Sequence, residues 1–425
     1  MGDAVKLPEI GTQQVKDAFT FTDEVVEGYP GRLTGTEPCH RAGQRIKEEF
    51  EKFCDPGSVK SEQITTHPLS FLKYIPGLVV LYYFCVALLY FIPSLAWVAF
   101  AGMALGLFVF YGQFLRYWHL LDPLFPKAKG YNIWGSIEPS GEVRQQVIVS
   151  AHHDAAYVFQ ILARMPRLYT PLMAGGVLLM VVALLTSLTA GILLCFGIPF
   201  PQWIPLVLII LGIFELPFLF FTTNRVVPGA GDNMIAVAIA AGIGRLFGNA
   251  KKEGNNPLKH TRLIILSFDA EECGLRGARA WIKLHLEELR KTKTYALNLD
   301  TIYKLKALNF FDADLNSMVK LSKEMAQECV DISGALGYKA YVSRMSPGGG
   351  ATDAAAFGEA GIEATNLCAM SFMVSDYDQG WVYHTPNDTS KHIEPEAVEA
   401  SLKVVREYIL RKGRGRVKYF DTAIV

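Results

Sequence analysis

Three rhythms of apolar residues run along this chain, and each predicts a different element. The longest are two blocks without Asp, Glu, Lys or Arg, from Tyr74 to Leu115 and from Leu168 to Phe214. A membrane-spanning helix needs ~20 mostly apolar residues, so each block has room for two. Pro93 and Ser94 divide the first block; Gly197, Pro199, Pro201 and Gln202 divide the second. The pattern predicts four transmembrane helices, roughly 75–92, 95–114, 172–195 and 203–222, paired as two hairpins. The alternative is buried helices of a large soluble protein, but these seldom run so far without a charged face.

The second rhythm is the short continuous run. Val147–Ala151, Leu263–Phe268 and Tyr295–Leu299 read as central strands buried on both faces, and Asn132–Ile137 as a further strand. The third is the helical stripe: Ala42, Ile46 and Phe50 within 39–53, and Val398, Leu402, Val405 and Ile409 within 394–411. Helices are also predicted around 274–290 and 313–335. Strands alternating with helices predict an α/β domain whose mixed, mostly parallel sheet is sandwiched by helices. The organisation expected is one polar domain in three pieces (1–73, 116–167 and 225–425), interrupted by hairpins at 74–115 and 168–224.

Composition refines this picture. Of 425 residues 51% are hydrophobic, and 41 basic residues balance 41 acidic ones, which gives no hint of a nucleic-acid or polyanionic partner. The start, MGDAVKLPEIGTQQ, lacks the basic-then-apolar order of a signal peptide, and Lys6 departs from the myristoylation pattern. Seven scattered cysteines with no CxxC pair read as free thiols in a reducing compartment. Lys73, Arg116, Arg164, Arg167 and Arg225 flank the outer ends of the apolar blocks, whereas the loops inside the hairpins have neither Lys nor Arg. The positive-inside rule then predicts a multi-pass protein of the cell membrane with its polar domain in the cytoplasm. The basic tail Arg411–Lys418 reads as a solvated end, or as a contact to anionic lipid.

Ligands of open α/β sheets bind beyond the carboxyl ends of the strands, and the chemistry-bearing residues collect there. VIVSA runs into His152, His153 and Asp154; LIILSF into Asp269, Glu271 and Glu272; YALNL into Asp300. Asp232 follows the turn Pro228-Gly229-Ala230-Gly231, and His384 lies in YHTPND. A single acid or histidine at a strand end is usually a cap or a surface group. Several acids converging on one edge repel each other unless cations neutralise them, and carboxylates with two imidazoles suit zinc, cobalt or manganese.

The stretches SAHHDA, PGAGDN, FDAEECGLRGARAW, LNLDTI, GGGATDAAAFGEAGI and YHTPNDT, in that order, resemble the co-catalytic zinc aminopeptidases. That group takes in bacterial leucyl aminopeptidases, with glutamate carboxypeptidase II and glutaminyl cyclase as relatives. GRLTGTEPCHRAGQRIKEEF at 31–50 resembles the N-terminal helix of the same group. The resemblance implies a zinc-exopeptidase fold and a membrane-anchored metallopeptidase, most simply an aminopeptidase. Cyclase-like or carboxypeptidase activity is the first alternative, and a non-catalytic scaffold the second. It implies two Zn2+ (or Co2+ or Mn2+): His152 and Asp300 on one, Glu272 and His384 on the other, Asp232 bridging. It implies Glu271 as general base, Asp154 as the acceptor that orients His152, and Asp388 as a similar partner for His384. Tyr383 is a candidate oxyanion donor or simply a packing aromatic.

The chain departs from that pattern in two places. The bridging acid is usually preceded by a second Asp and followed by a small Ser-Gly step, but here the text is Gly231-Asp232-Asn233-Met234-Ile235. The second hairpin is inserted between Asp154 and Asp232, so the catalytic face is expected near the bilayer, with a peptide substrate that is apolar or membrane-associated. His153 reads as a pocket wall or surface residue. Glu215, the acid inside a predicted span, reads either as functional or as satisfied by water or Arg225. A lone buried acid offers little for a transport path, so anchoring is the simpler role for the helices.

Overall fold

The computed structural model describes residues 7–371, 373–377 and 380–414. The first six residues, with Lys6, and residues 415–418 of the basic tail lie outside them. The helices, in chain order, are α1 (Thr12–Gly28), α2 (Glu37–Glu51), α3 (Ile75–Phe91), α4 (Ala96–Phe110), α5 (Gln160–Arg164), α6 (Pro166–Cys195), α7 (Trp203–Leu211), α8 (Ile235–Lys252), α9 (Arg276–Lys291), α10 (Lys323–Ala335), α11 (Ala354–Glu359) and α12 (Pro395–Arg414). The strands are β1 (Lys60–Thr66), β2 (Ala128–Ile137), β3 (Gln145–His152), β4 (Tyr157–Phe159), β5 (Thr222–Val226), β6 (Thr261–Phe268), β7 (Lys293–Ile302), β8 (Asn309–Asp314), β9 (Val319–Lys320), β10 (Tyr341–Arg344) and β11 (Glu363–Ala369).

Nine strands form one mixed sheet in the order β1-β2-β6-β3-β7-β11-β8-β10, with β9 paired to β8. The run β6-β3-β7-β11 is parallel. Its strands are continuous apolar runs because both faces are covered: α8, backed by α1, α2 and α12, lies on one side, and α9 with α11 on the other. Val147, Ile148, Val149, Ile265, Leu297 and Leu299 are fully buried. The α/β fold with a mixed sheet is therefore as the sequence predicts. One expected helix is shorter, because 313–335 is helical only from Lys323. Asp314 instead ends β8, where its carboxylate accepts from the Thr352 hydroxyl (2.6 Å), and Ser322 Oγ caps α10 by accepting from Met325 N (3.2 Å).

Both apolar blocks leave from the same edge of the sheet. Hairpin two follows β3 by way of β4 and α5, beyond the carboxyl end of β3. For hairpin one the register decides: Thr66 pairs with Ala128, and β2 runs antiparallel to β6 with Ile133 opposite Ser267. The end of β1 and the start of β2 therefore lie at the carboxyl end of β6, and the first block is inserted between them. β4 and β5 pair antiparallel across the second block and close its root.

Among the described residues five helical segments are long and apolar enough to cross a membrane: Pro68–Phe91, Pro93–Leu115, Pro166–Cys195, Trp203–Phe220 and Ala230–Lys252. The fifth is 83% buried, against 28–39% for the others, because it is the core helix α8. The other four pack on one another, and their outer faces are apolar; Phe84, Phe91, Trp203 and Phe220 are 58%, 73%, 65% and 68% exposed. Small residues set their approach: a Cβ at Gly102 would fall 2.5 Å from Cys85 Sγ, and one at Gly106 3.0 Å from Met180 Cε. The last segment is α-helical only to Leu211 and continues as tighter 3-10 turns to Phe220, where Pro217 removes a backbone donor. Glu215 there is buried beside Gly176 rather than paired with the exposed Arg225, and its Oε1 has no hydrogen-bond partner.

Between the outer helices, buried Glu49 on α2 meets Arg245 of α8 (2.5 Å), Arg45 (3.0 Å) and Lys52 (2.9 Å). Burial works against its charge, but hydrogen bonds from Lys52, Arg245 and Arg45 outweigh it and hold its pKa at about 2 instead of 4.5. A depressed carboxylate stabilises the fold above its ordinary pKa, and that contribution is lost as pH falls towards the folded value. Glu49→Gln is expected to cost about 1–3 kcal/mol at pH 7. Thermal unfolding of the detergent-solubilised chain should show the difference between wild type and variant shrinking as pH drops from 4.5 towards 2.

Candidate metal centre

The strand ends bring all seven predicted side chains into one buried cluster. Asp232 lies between the two histidines: its Oδ1 is 3.3 Å from His152 Nε2, and its Oδ2 is 3.2 Å from His384 Nε2. His152 Nε2 also faces Asp300 Oδ2 and Glu271 Oε2, each at 3.9 Å, and His384 Nε2 faces Glu272 Oε2 at 3.3 Å. Three triads of ligand atoms result, His152/Asp232/Asp300, Asp232/Glu272/His384 and His152/Glu271/Glu272, each with its atoms within 4.8 Å of one another. Asp232 is shared by the first two.

The electrostatics of the cluster favour a cation. Burial, together with repulsion from Glu272, Asp300 and Asp353, pushes Glu271 well above the usual carboxylate range; His152 only partly opposes this. Glu272 and Asp300 are raised by the same combination of burial and like charge. Burial disfavours a charged His384, yet Glu272 and Asp232 outweigh it and hold its pKa at about 10. Divalent ions would remove the repulsion that these shifts record and leave the histidines neutral as ligands. His152 Nε2, Asp232 Oδ2 and Glu272 Oε1 are buried without a hydrogen-bond partner and are aimed into the cluster. The donor set, imidazoles with carboxylates, fits zinc.

The surrounding loops fix these groups. Asp154 lies beside His152 Nδ1 (3.4 Å), and its two oxygens accept from Glu271 N (3.2 Å) and Glu272 N (3.1 Å). One carboxylate therefore fixes the loop that carries both glutamates as well as facing the histidine. Arg32, buried, donates to the carbonyls of His153 (3.1 Å) and Gly229 (2.9 Å), tying the loop after β3 to the loop before Asp232. Thr34 Oγ1 lies within 3.1 Å of Asp154 and 2.9 Å of Asp269. Ala270, Thr301 and His384 hold left-handed backbone at φ 63°, 54° and 54°, strain that the packing must sustain.

The unusual text around Asp232 has a packing reason. A Cβ at Gly231 would lie 2.0 Å from the Tyr303 ring, so the side chain of a second acid would have no room there. Asn233 donates from Nδ2 to Leu299 O (2.8 Å) and accepts from Thr301 N (3.3 Å), lacing the Asp232 turn to the end of β7. Asp388 differs from expectation. It accepts from Gly231 N (2.7 Å) and Asp232 N (3.4 Å) and so props the bridging residue, whereas His384 Nδ1 has no hydrogen-bond partner.

His153 is neither surface nor pocket wall. It is buried, its Nδ1 meets Ser267 Oγ at 2.8 Å, and it groups with Cys39 and Asp269 behind the cluster. Tyr383 stacks on His384 with ring centroids 3.9 Å apart, and burial beside Asp232, Glu272 and Glu271 pushes its hydroxyl well up. Two residues escape sequence reasoning. Tyr117, just past the first hairpin, is buried near Glu271 and Glu272, and burial together with these carboxylates pushes its hydroxyl well up. Asp353 has neither oxygen partnered; burial pushes its pKa up to about 8, against the opposing pull of His152. The sequence signal for Asp353 is its place in GGGATDAAAFGEAGI, a stretch assigned no role by its spacing.

Residues 218–409 match Peptidase family M28. A stretch of 75 residues is 35% identical to a probable glutamate carboxypeptidase of Arthroderma benhamiae, covering 18% of this chain but only 10% of that protein. Among solved structures, a leucine aminopeptidase precursor from Bacteroides thetaiotaomicron superposes with TM-score 0.55 at 12% identity, over 95% of this chain and 98% of its own. A Zn-dependent exopeptidase from Parabacteroides distasonis gives 0.53 at 14% identity (97% and 100%), and Porphyromonas gingivalis glutaminyl cyclase 0.54 at 14% (95% and 100%). At such identities the likeness establishes a shared fold. With the family match it supports a metallopeptidase without choosing among exopeptidase and cyclase chemistries.

Asp388→Ala leaves the Gly231 and Asp232 amides without their acceptor. The expected result is zinc affinity weakened about 10–100-fold, measured by competition with a chromogenic chelator, together with a loss of about 1–3 kcal/mol in the stability of the zinc-free protein from the unsatisfied amides.

Proposed function

We propose that the chain is a membrane-anchored, zinc-dependent exopeptidase, most simply an aminopeptidase, whose catalytic domain sits against the cytoplasmic face of the membrane. The observation that carries this reading is Asp232, which presents one oxygen to His152 and the other to His384 with Glu271 alongside. Four apolar hairpin helices with outward-facing aromatics support the anchor.

Bound in the two triads that share Asp232, a pair of divalent ions supplies Lewis acidity and a low-pKa water. Glu272 is a ligand, whereas Glu271, next in sequence, points its carboxylate towards His152 and stays available to take a proton from the attacking water and return it to the leaving amine. Asp154 holds both glutamates in register through their amides. Tyr383, stacked on His384, is the candidate hydroxyl donor to the negative charge that develops on the substrate carbonyl oxygen, and Tyr117, buried near Glu271 and Glu272, is a second. A glutaminyl-cyclase reading draws on the same fold.

Glu271→Gln should lower kcat on an aminoacyl amide about 10²–10⁴-fold while metal content stays at the wild-type level. Full activity in this variant would refute the assigned base. Assayed side by side, an aminoacyl amide, a peptide with C-terminal glutamate and a peptide with N-terminal glutamine separate the three chemistries. Turnover of the first is the expected outcome.

A further inference from the structure

Beside the metal cluster lies a cleft of about 230 Å³ that reaches Glu272. Its walls come from the loop before α2 (33–36), the start of β2 with the residues before it (126–128), the Glu272–Cys273 loop and two further stretches of the chain. Leu69 and Leu72 belong to the turn running into α3; Ala156, Tyr157 and Phe159 belong to the segment between Asp154 and α5. These are the roots of the two hairpins. Lys73 fastens them together: its Nζ donates to Thr223 O (3.2 Å) and Asn224 Oδ1 (3.3 Å) of β5, and sits over the Tyr157 ring at 4.2 Å. At the inner end Phe159 packs edge-on to His384 with centroids 4.3 Å apart. Apart from Glu272, the charged lining residues are Lys73 and Lys127, and the rest of the lining is mostly apolar.

We propose that this cleft takes an unbranched aliphatic chain of the substrate, which enters from the bilayer surface between the hairpin roots and ends beside Glu272. The inference rests on the metallopeptidase reading and adds a substrate class to it: amides that carry a long aliphatic group. Three features select that occupant. Between Glu272 and the two lysines the lining is mostly apolar, and Lys73 is already engaged by Thr223 and Asn224, so a strongly polar group lodged along that stretch would lose hydration with few partners. One end abuts a metal-ligand candidate, so whatever fills the cleft is joined to the reacting group. The other end is built from the residues at which both apolar hairpins begin, where an aliphatic chain partitioned into a bilayer is at hand. The volume holds roughly eight solvent-sized groups at ~30 Å³ each.

The test is binding rather than turnover. The zinc-loaded full chain in lipid nanodiscs is titrated with straight-chain hydroxamic acids of two to twelve carbons, whose head chelates metal and whose tail probes the cleft. Affinity is expected to tighten by up to about fourfold per methylene until the chain is about eight carbons long, then level off. Leu69, half-buried in the wall, is changed to Trp to fill the cleft and, separately, to Asp to charge it. Both variants should bind the two-carbon compound within about twofold of wild type and lose the gain with length. A flat series in wild type, or an unchanged slope in both variants, overturns the cleft assignment and leaves the metal centre standing. Failure of even the two-carbon compound to bind overturns the metal centre, and with it this inference.

Discussion

Carboxylates crowded out of water at one sheet edge repel each other, and the rest of this structure is organised around that constraint. Asp154, Asp232, Glu271 and Asp300 are each less than a tenth exposed, and Glu272 is not much more open. In a place of low effective dielectric such a group protonates or finds a cation. The two imidazoles flank Asp232 from opposite sides, which makes the bridging oxygen pair the centre of charge compensation. Around it the chain spends its unusual residues. Gly231 makes room for Tyr303, Asn233 laces the turn to β7, Asp388 accepts the turn's amides, and Arg32 joins the loops on either side. Each acts by position, and each fails if the cluster is not held together.

The same edge carries both apolar hairpins. A loop insertion at the opposite edge would have left the site facing open solvent, as loops at either end of a sheet tolerate insertion equally well in principle. Because β1 ends and β3 ends on the same side, the two hairpins descend together, pack on each other through small residues, and are tied by Lys73 at their common root. The acidic cluster and the apolar hairpins, placed this close, share walls, and Leu72, Tyr157 and Phe159 are such walls.

The strands and the cluster were legible because their signals are local. VIVSA, LIILSF and YALNL are apolar runs that end in acids or histidine, and the strand-end rule gathers them without knowledge of the fold. The four apolar spans were legible from length alone, but α8 shows why length is insufficient: its composition passes the same threshold, and only burial between β3 and the outer helices removes it. What stayed hidden was nonlocal. Asp388 lies four residues from His384, yet its partners are amides more than 150 positions away. Tyr117 reaches the site because the first apolar hairpin delivers it, and His153 turns inward to meet Ser267, beside Cys39 and Asp269. The segment after β8 has helical spacing of Leu315, Met318 and Leu321 but forms a turn, since Asp314 finds a better partner in Thr352. That the root of the first hairpin lies at the active edge follows from register, which no single segment contains.

The central claim is that Asp232 bridges two metal ions at this edge. Anomalous diffraction at the zinc absorption edge, on crystals of the zinc-loaded full chain, tests it directly. The account predicts two peaks ~3.5–4 Å apart, one on either side of the Asp232 carboxylate, between His152 and Asp300 and between Glu272 and His384. A single peak, or density centred instead on Cys39, His153 and Asp269, would contradict it.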